Sequence, residues 1–262
     1  MRRVRLVLAE LIAIAGLVVA LASPAAAAAV NYVALGDSYS SGVGAGNYIA
    51  SSGACDRSTN AYSQLWANTH SPSSYRSVAC SGATTADVEN NQLSALSSST
   101  TLVSITIGGN DENFAGIMKD CNLGSDSTCV SEINAAEADA RASLSTKLVT
   151  LFGHITSRAP SARLVVLNYP HFYDLAKSCF GLSKTKRAKI NEATDVLASV
   201  LSSAASRAGA KFADVRPAFS GHEICDSNRW LHSVNFLDFG ISYHPTADGH
   251  SKAYYPTFSA AA

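Results

Sequence analysis

Three short polar stretches, far apart in the chain, hold residue types that together can open a carbonyl: Gly36-Asp37-Ser38-Tyr39-Ser40, Gly108-Gly109-Asn110-Asp111 and His244-Pro245. They offer a hydroxyl nucleophile, a side-chain amide donor and an imidazole base. A serine hydroxyl attacks slowly at neutral pH unless a base lies within hydrogen-bond reach. The oxyanion that forms on attack needs preorganised donors, and one such donor is worth about 3 kcal/mol. Such a set suits hydrolysis of an ester through a covalent acyl-serine.

Read singly, each stretch has a plainer meaning. Ser38 could cap a helix, and Asn110 behind two glycines could make an Asx-turn. Gly36 precedes Ser38, and Gly42, Gly44 and Gly46 follow it, but the spacing is not G-x-G-x-x-G, which argues against a dinucleotide site. Seven histidines compete for the base: His70, His154, His171, His222, His232, His244 and His250. His154 sits in a helical pattern and His70 follows another, so both read as structural or surface residues. Pro245 fixes a turn and disfavours helix at His244, while Thr246 and Asp248 can start a last helix toward Tyr255. His244 is therefore expected on a loop held against a helix start. His250, inside that helix, is the second candidate.

The elements that must position these groups are visible as apolar runs. Tyr32-Val33-Ala34-Leu35, a short run around Tyr75-Arg76-Ser77-Val78, Leu102 to Ile107, Leu164-Val165-Val166-Leu167 and Lys211 to Val215 all suit strands, most of them buried on both faces. Ile133, Ala140, Leu144, Leu148, Leu151 and Ile155 recur at helical spacing and predict a helix over about 131–157, with Pro160 beyond it. Ile190, Ala193, Leu197, Val200, Leu201 and Ala204 predict a second, closed near Gly209. Strand and helix alternate, so a parallel sheet with right-handed crossovers and helices on both faces is expected. Ser38, Ser81-Gly82 and Asn110 then all follow strands, at the sheet end where ligands bind. Residues 217–243 lose periodicity and read as a long loop that Cys225 could pin, and 120–129 reads as a shorter one.

Composition bounds the compartment and the partners. Arg2, Arg3 and Arg5 precede an apolar run and a string of alanines, the pattern of a secretory signal peptide over residues 1–28 that is cleaved to leave a domain over 29–262. Glu10 interrupts the run and weighs against a membrane anchor. Without the leader's three arginines and one glutamate, the 20 basic and 20 acidic residues become 17 against 19, with no basic cluster for nucleic acid or anionic lipid. Cys55, Cys80, Cys121, Cys129, Cys179 and Cys225 in an exported chain read as three disulfides, with fifteen connectivities open and sequential pairing the simplest. No Cys/His cluster has zinc-ligand spacing. The chain is expected to be extracellular and monomeric, without metal or cofactor.

The Gly36-Asp37-Ser38-Tyr39-Ser40, Gly82, Gly108-Gly109-Asn110-Asp111 and His244-Pro245 blocks, in this order, resemble the four signature blocks of the GDSL, or SGNH, hydrolases, particularly the small secreted lipases and esterases of actinomycetes. That resemblance implies Ser38 as nucleophile and His244 as general base and acid. It also implies an oxyanion hole from the Ser38 and Gly82 N–H groups and the Asn110 side chain. The implied fold is a flavodoxin-like three-layer α/β/α sandwich with a five-stranded parallel sheet. Three disulfides are usual in the secreted actinomycete members, which supports the pairing Cys55–Cys80, Cys121–Cys129 and Cys179–Cys225.

One position departs from the family pattern. Most members carry aspartate three residues before the histidine, where this chain has Ile241. Either a main-chain carbonyl near Ile241 or Ser242, or Asp238 six residues upstream, must then orient the imidazole. The carbonyl is favoured, because Asp238 reaches the ring only if the loop folds back on itself.

The reading that follows is a secreted serine ester hydrolase acting on fatty-acyl esters of the lipase or esterase kind. Phospholipase A1 activity on glycerophospholipids is the alternative, and carbohydrate deacetylation is more distant. A non-catalytic secreted binding protein is the alternative of another class. No G-x-S-x-G is present, which argues against an α/β-hydrolase. No amphipathic helix marks a lid. Tyr169-Pro170-His171-Phe172-Tyr173, past the fourth strand, suits either an acyl groove or the core.

Overall fold

The computed structural model describes residues 29–262, and the leader expected over 1–28 lies outside them. The five apolar runs form β1 (Asn31–Gly36), β2 (Ser74–Ser77), β3 (Leu102–Thr106), β4 (Arg163–Leu167) and β5 (Lys211–Ala213). Between and after them lie α1 (Ser38–Ser41), α2 (Tyr62–His70), α3 (Thr85–Asp87), α4 (Phe114–Leu123), α5 (Asp126–Asp139), α6 (Ser145–Arg158), α7 (Lys184–Arg207), α8 (Ala247–Gly249) and α9 (Tyr255–Ser259), with short 3-10 and π turns.

The strands run β2-β1-β3-β4-β5, and every neighbouring pair is parallel. This is the flavodoxin-like order, in which β1 and β3 flank the topological switch point. Their register pairs Gly36 with Thr106, so the loops leaving both strands open at the same edge. On one face, Tyr32 stacks on Phe258 of α9 (5.4 Å) and meets Trp66 of α2 edge-on (5.3 Å), while its hydroxyl bonds Ser104 at 2.7 Å. Side chains alternate along a strand, so Val33, Leu35, Val103 and Ile105 point to the other face, and all four are buried. There α5 and α6 both pack on α7, and α7 meets β4 and β5. The result is a three-layer α/β/α sandwich.

The disulfides join Cys55 to Cys80, Cys121 to Cys129 and Cys179 to Cys225. Residues 217–243 are mostly irregular and are pinned through Cys225, with 3-10 turns at Arg216–Phe219 and Phe239–Ile241. The expected loop over 120–129 is corrected: α4 runs to Leu123, α5 starts at Asp126, and the Cys121–Cys129 bond ties the two. Its polar composition reflects end capping. The Ser125 side chain accepts from Thr128 N–H at 3.1 Å, and Lys186 Nζ donates to the Cys121 and Gly124 carbonyls, each at 2.7 Å. The first predicted helix therefore starts five residues early, and a π turn at Ala140–Leu144 joins α5 to α6. Ser183 likewise caps α7, which starts at Lys184, six residues before its apolar periodicity begins at Ile190. No helix among the described residues is long and apolar enough to cross a membrane.

Candidate active site

Ser38 stands at the first turn after β1, on a backbone that only glycine permits. Gly36 has φ +117°, and a Cβ there would lie 2.2 Å from the Thr106 carbonyl oxygen. Gln92 clasps the same peptide, accepting from Gly36 N–H at 2.7 Å and donating to its carbonyl at 2.9 Å. Asp37 caps α1 through the Tyr39 N–H (3.0 Å), and its carboxylate also accepts from Thr106 Oγ1 (2.7 Å) and the Tyr169 hydroxyl. Burial pushes the Asp37 carboxyl up to about 6, against these hydrogen bonds that hold it down. A buried carboxylate so fully bonded fixes the turn that presents Ser38.

The His244 imidazole meets Ser38 from the far end of the chain, with Nε2 2.7 Å from Ser38 Oγ. Its Nδ1 lies 3.0 Å from the Ser242 carbonyl oxygen. A carbonyl can only accept, so Nδ1 carries the proton and Nε2 presents its lone pair to the serine. Burial lowers the His244 pKa to about 4, opposed by the Ser242 hydrogen bond and reinforced by His232. The ring is therefore neutral at neutral pH, the state a general base needs. Asp238, the other candidate to orient it, is exposed and caps its own loop, accepting from Gly240 N–H at 3.1 Å.

Several contacts hold the base loop. Tyr243 has φ +66°, a left-handed conformation costly for a bulky side chain. Its carbonyl accepts from the Tyr39 hydroxyl at 2.5 Å, and its own hydroxyl accepts from Asn122 Nδ2 at 2.7 Å. The His232 backbone exchanges bonds with Tyr243 N–H (3.0 Å) and the His244 carbonyl (2.9 Å). Gly44 lets the nucleophile loop lie against this one, since a Cβ on it would approach the Pro245 carbonyl oxygen to 2.6 Å.

The proposed oxyanion donors converge from three strand ends. Cys80 N–H bonds the Gly36 carbonyl at 3.0 Å, which hangs the Gly82 turn beside the nucleophile strand, and Cys55–Cys80 anchors it further. Asp111 ties this turn to Asn110, its carboxylate accepting from Thr85 N–H (2.9 Å) and Thr85 Oγ1 (2.6 Å). Asn110 Nδ2 donates to the Ala83 carbonyl at 2.9 Å, which fixes the amide and leaves its second hydrogen for a substrate. Among the described residues, the N–H groups of Ser38 and Gly82 donate to no protein acceptor.

An apolar cavity of about 570 Å³ opens from this cluster. Ser38, Gly82, Asn110 and His244 line it together with Phe114, Met118, Ile133, Ala136, Phe172 and Leu197, among others. Of the aromatic segment after β4, Tyr169 and Phe172 line the cavity, and both are buried along with Tyr173, so the segment is wall and core at once. Of the other histidines, His232 borders the site through its pairing with Tyr243 and His244, and four others stand away from Ser38. His250 is fully buried, accepts from Tyr62 N–H at 3.3 Å and is held near a pKa of about 3 by burial. His70 stacks on Trp66, His154 pairs with Glu89 at 2.8 Å, and His171 pairs with Asp195 at 2.6 Å.

Sequence reasoning did not anticipate Gln92, Thr106, Asn122, Tyr243 or the Asp111–Thr85 clasp. Thr106, Asn122 and Tyr243 lay in segments already singled out, as did Tyr39, Asp111 and Tyr169, but without a role in the site, and Gln92 and Thr85 lay outside them. Among the described residues, no group of three or more His, Cys, Asp or Glu side chains is placed to hold a metal ion.

Residues 34–252 match the family described as GDSL-like Lipase/Acylhydrolase. The chain is 53% identical over 268 residues to Lipase 1 of Streptomyces coelicolor, with all of both chains covered. It resembles the crystal structure of phospholipase A1 from Streptomyces albidoflavus NA297 with a TM-score of 0.88 and 49% identity, covering 90% of this chain and 100% of that one. It also resembles the extracellular lipase from Streptomyces rimosus with a TM-score of 0.87 and 50% identity, covering 89% and 100%.

Proposed function

Because the chain belongs to the GDSL-like Lipase/Acylhydrolase family, we propose that it is a secreted, monomeric carboxylic ester hydrolase that cleaves fatty-acyl esters through an acyl-enzyme on Ser38. The observation that carries this reading is the 2.7 Å approach of His244 Nε2 to Ser38 Oγ at one end of an apolar cavity of about 570 Å³. Three disulfides support an oxidising destination.

In the first half-reaction, Ser38 Oγ attacks the ester carbonyl carbon while its proton passes to His244 Nε2. The imidazolium so formed keeps its Nδ1–H on the Ser242 carbonyl. Negative charge on the former carbonyl oxygen meets the Ser38 and Gly82 N–H groups and the Asn110 amide. As the intermediate collapses, His244 returns the proton to the departing alcohol oxygen. Water, deprotonated by the same ring, then attacks the acyl-serine and releases the fatty acid. The apolar wall holds the acyl chain near the serine, turning a bimolecular encounter into a positioned one.

Incubation with triolein and with a mixed-acyl phosphatidylcholine, followed by identification of the released acid, tests the substrate class. A fluorophosphonate probe tests the nucleophile. The reading fails if folded protein takes no label at Ser38 and frees no acid from any ester. Likeness to a phospholipase A1 favours a second reading, in which the glycerophospholipid is the main substrate. Release of the sn-1 acid alone, faster than any release from triolein, is its expected result.

A further inference from the structure

Four large apolar side chains stand exposed at the mouth of the acyl cavity: Leu123 (72%), Phe236 (68%), Leu237 (99%) and Phe239 (58%). Leu123, Phe236 and Phe239 line that cavity, and Leu237 projects from the turn between the two phenylalanines. The two phenylalanine rings meet edge-on, 5.5 Å apart. A soluble protein leaves such a cluster in water only where something else will cover it.

The segment that carries Phe236, Leu237 and Phe239 is built to hold these side chains outward, beside Leu123 at the end of α4. Asn235 Oδ1 accepts from the N–H groups of Leu237 (3.0 Å) and Asp238 (3.2 Å), and Asn235 N–H donates to Ser242 Oγ at 2.9 Å. Asp238 caps Gly240 in turn. The turn is therefore a fixed rim, and it runs straight into Ser242, Tyr243 and His244.

We propose that this rim inserts into the surface of a lipid aggregate, so that the cavity opens directly onto the acyl chains of molecules lying in that surface. The inference rests on the acyl-ester reading of the site, because continuity between rim, cavity and Ser38 is what selects lipid as the occupant. Charge points to insertion by apolar contact. The mature chain has no basic cluster, and the turn itself carries one charged residue, Asp238, which an anionic surface would repel. Docking is then insensitive to salt and needs no anionic lipid.

Leu237 provides the clean test, since it projects from the rim without lining the cavity. Protein would be mixed with unilamellar vesicles of a dialkyl-ether phosphatidylcholine, which no esterase can cut, and cosedimentation measured at low and high salt. The expected result is binding that survives high salt and weakens about tenfold or more in Leu237→Ser, the loss of one buried leucine. Hydrolysis of a water-soluble short-chain aryl ester stays within twofold of the parent. The proposal is overturned if the parent ignores the vesicles, if Leu237→Ser binds as well as the parent, or if binding vanishes in high salt. Sedimentation velocity showing a dimer that Leu237→Ser dissolves would also overturn it, in favour of a second copy. Failure of the underlying reading looks different: vesicles are bound, but neither the soluble ester nor the fluorophosphonate reacts.

Discussion

The Tyr39 hydroxyl donates a 2.5 Å hydrogen bond to the carbonyl of Tyr243, so the residue after Ser38 holds the residue before His244. The two are 204 positions apart in the chain. Tyr243 is left-handed, and this bond is among the contacts that stabilise it there, with the neighbouring Ser242 carbonyl turned to His244 Nδ1.

Tyr39→Phe removes that donor with almost no change in volume. A buried carbonyl left without its partner costs about 1–3 kcal/mol, to be read from urea unfolding. Because the lost bond also orients the base, kcat is expected to fall about tenfold or more, since 1.4 kcal/mol of lost orientation is one decade. A variant with the parent's kcat and unchanged KM would show that the loop holds itself.

Asp238→Asn is expected to leave turnover within a few-fold of the parent, because the carboxylate caps its own turn and the Ser242 carbonyl takes the Nδ1 proton. A thousand-fold loss would mean that the loop refolds in the substrate complex and brings Asp238 to the ring.

Asn110→Ala tests the oxyanion assignment. Loss of one preorganised donor is expected to lower kcat by about a hundredfold to a thousandfold, with KM nearly unchanged. Asp111→Asn weakens the clasp on Thr85 and should give a smaller effect of the same kind. If Asn110→Ala raised KM and spared kcat, the amide would serve ground-state binding instead.

The acid limb of kcat/KM should lie near pH 4. His244 must be neutral to accept the Ser38 proton, and burial lowers it from 6.5 to about 4, so the rate falls as pH drops through that value. Asp37 titrates near 6 but is not expected to carry the limb, which should persist in Asp37→Asn. Stability follows the same sign for the histidines. Unfolded rings bind protons at 6.5 while folded His244 and His250 resist until about 4 and about 3, so stability is lost as pH falls below 6.5. Asp37 acts in the opposite sense between 3.8 and about 6, where the folded state takes the proton first. A limb at 6.5 in both proteins would show that the His244 ring is open to water.

Much of this was legible along the chain because buried parallel strands read as continuous apolar runs. The runs at β1, β3 and β4 are of that kind, and each site block stands just past a strand or at a proline-marked turn. Periodicity failed at helix ends, where α5 and α7 begin in polar residues that cap rather than pack. The 120–129 segment misled for the same reason, since its carbonyls are satisfied by Lys186, far away in sequence.

The residue types and their order pointed to Ser38, Asn110 and His244 and determined the alternation of strand and helix, because backbone turns and hydrophobic periodicity are local properties. The orienting partner of His244 was not local. It depended on how the loop beyond Asn235 is held by Tyr39, Asn122 and the antiparallel pairing with His232. Only the tertiary structure decided that the Ser242 carbonyl, and not Asp238, faces Nδ1. Likewise only folding gathers Leu123 and the 236–239 turn at one cavity mouth, since contacts across the chain have no signature in residue spacing.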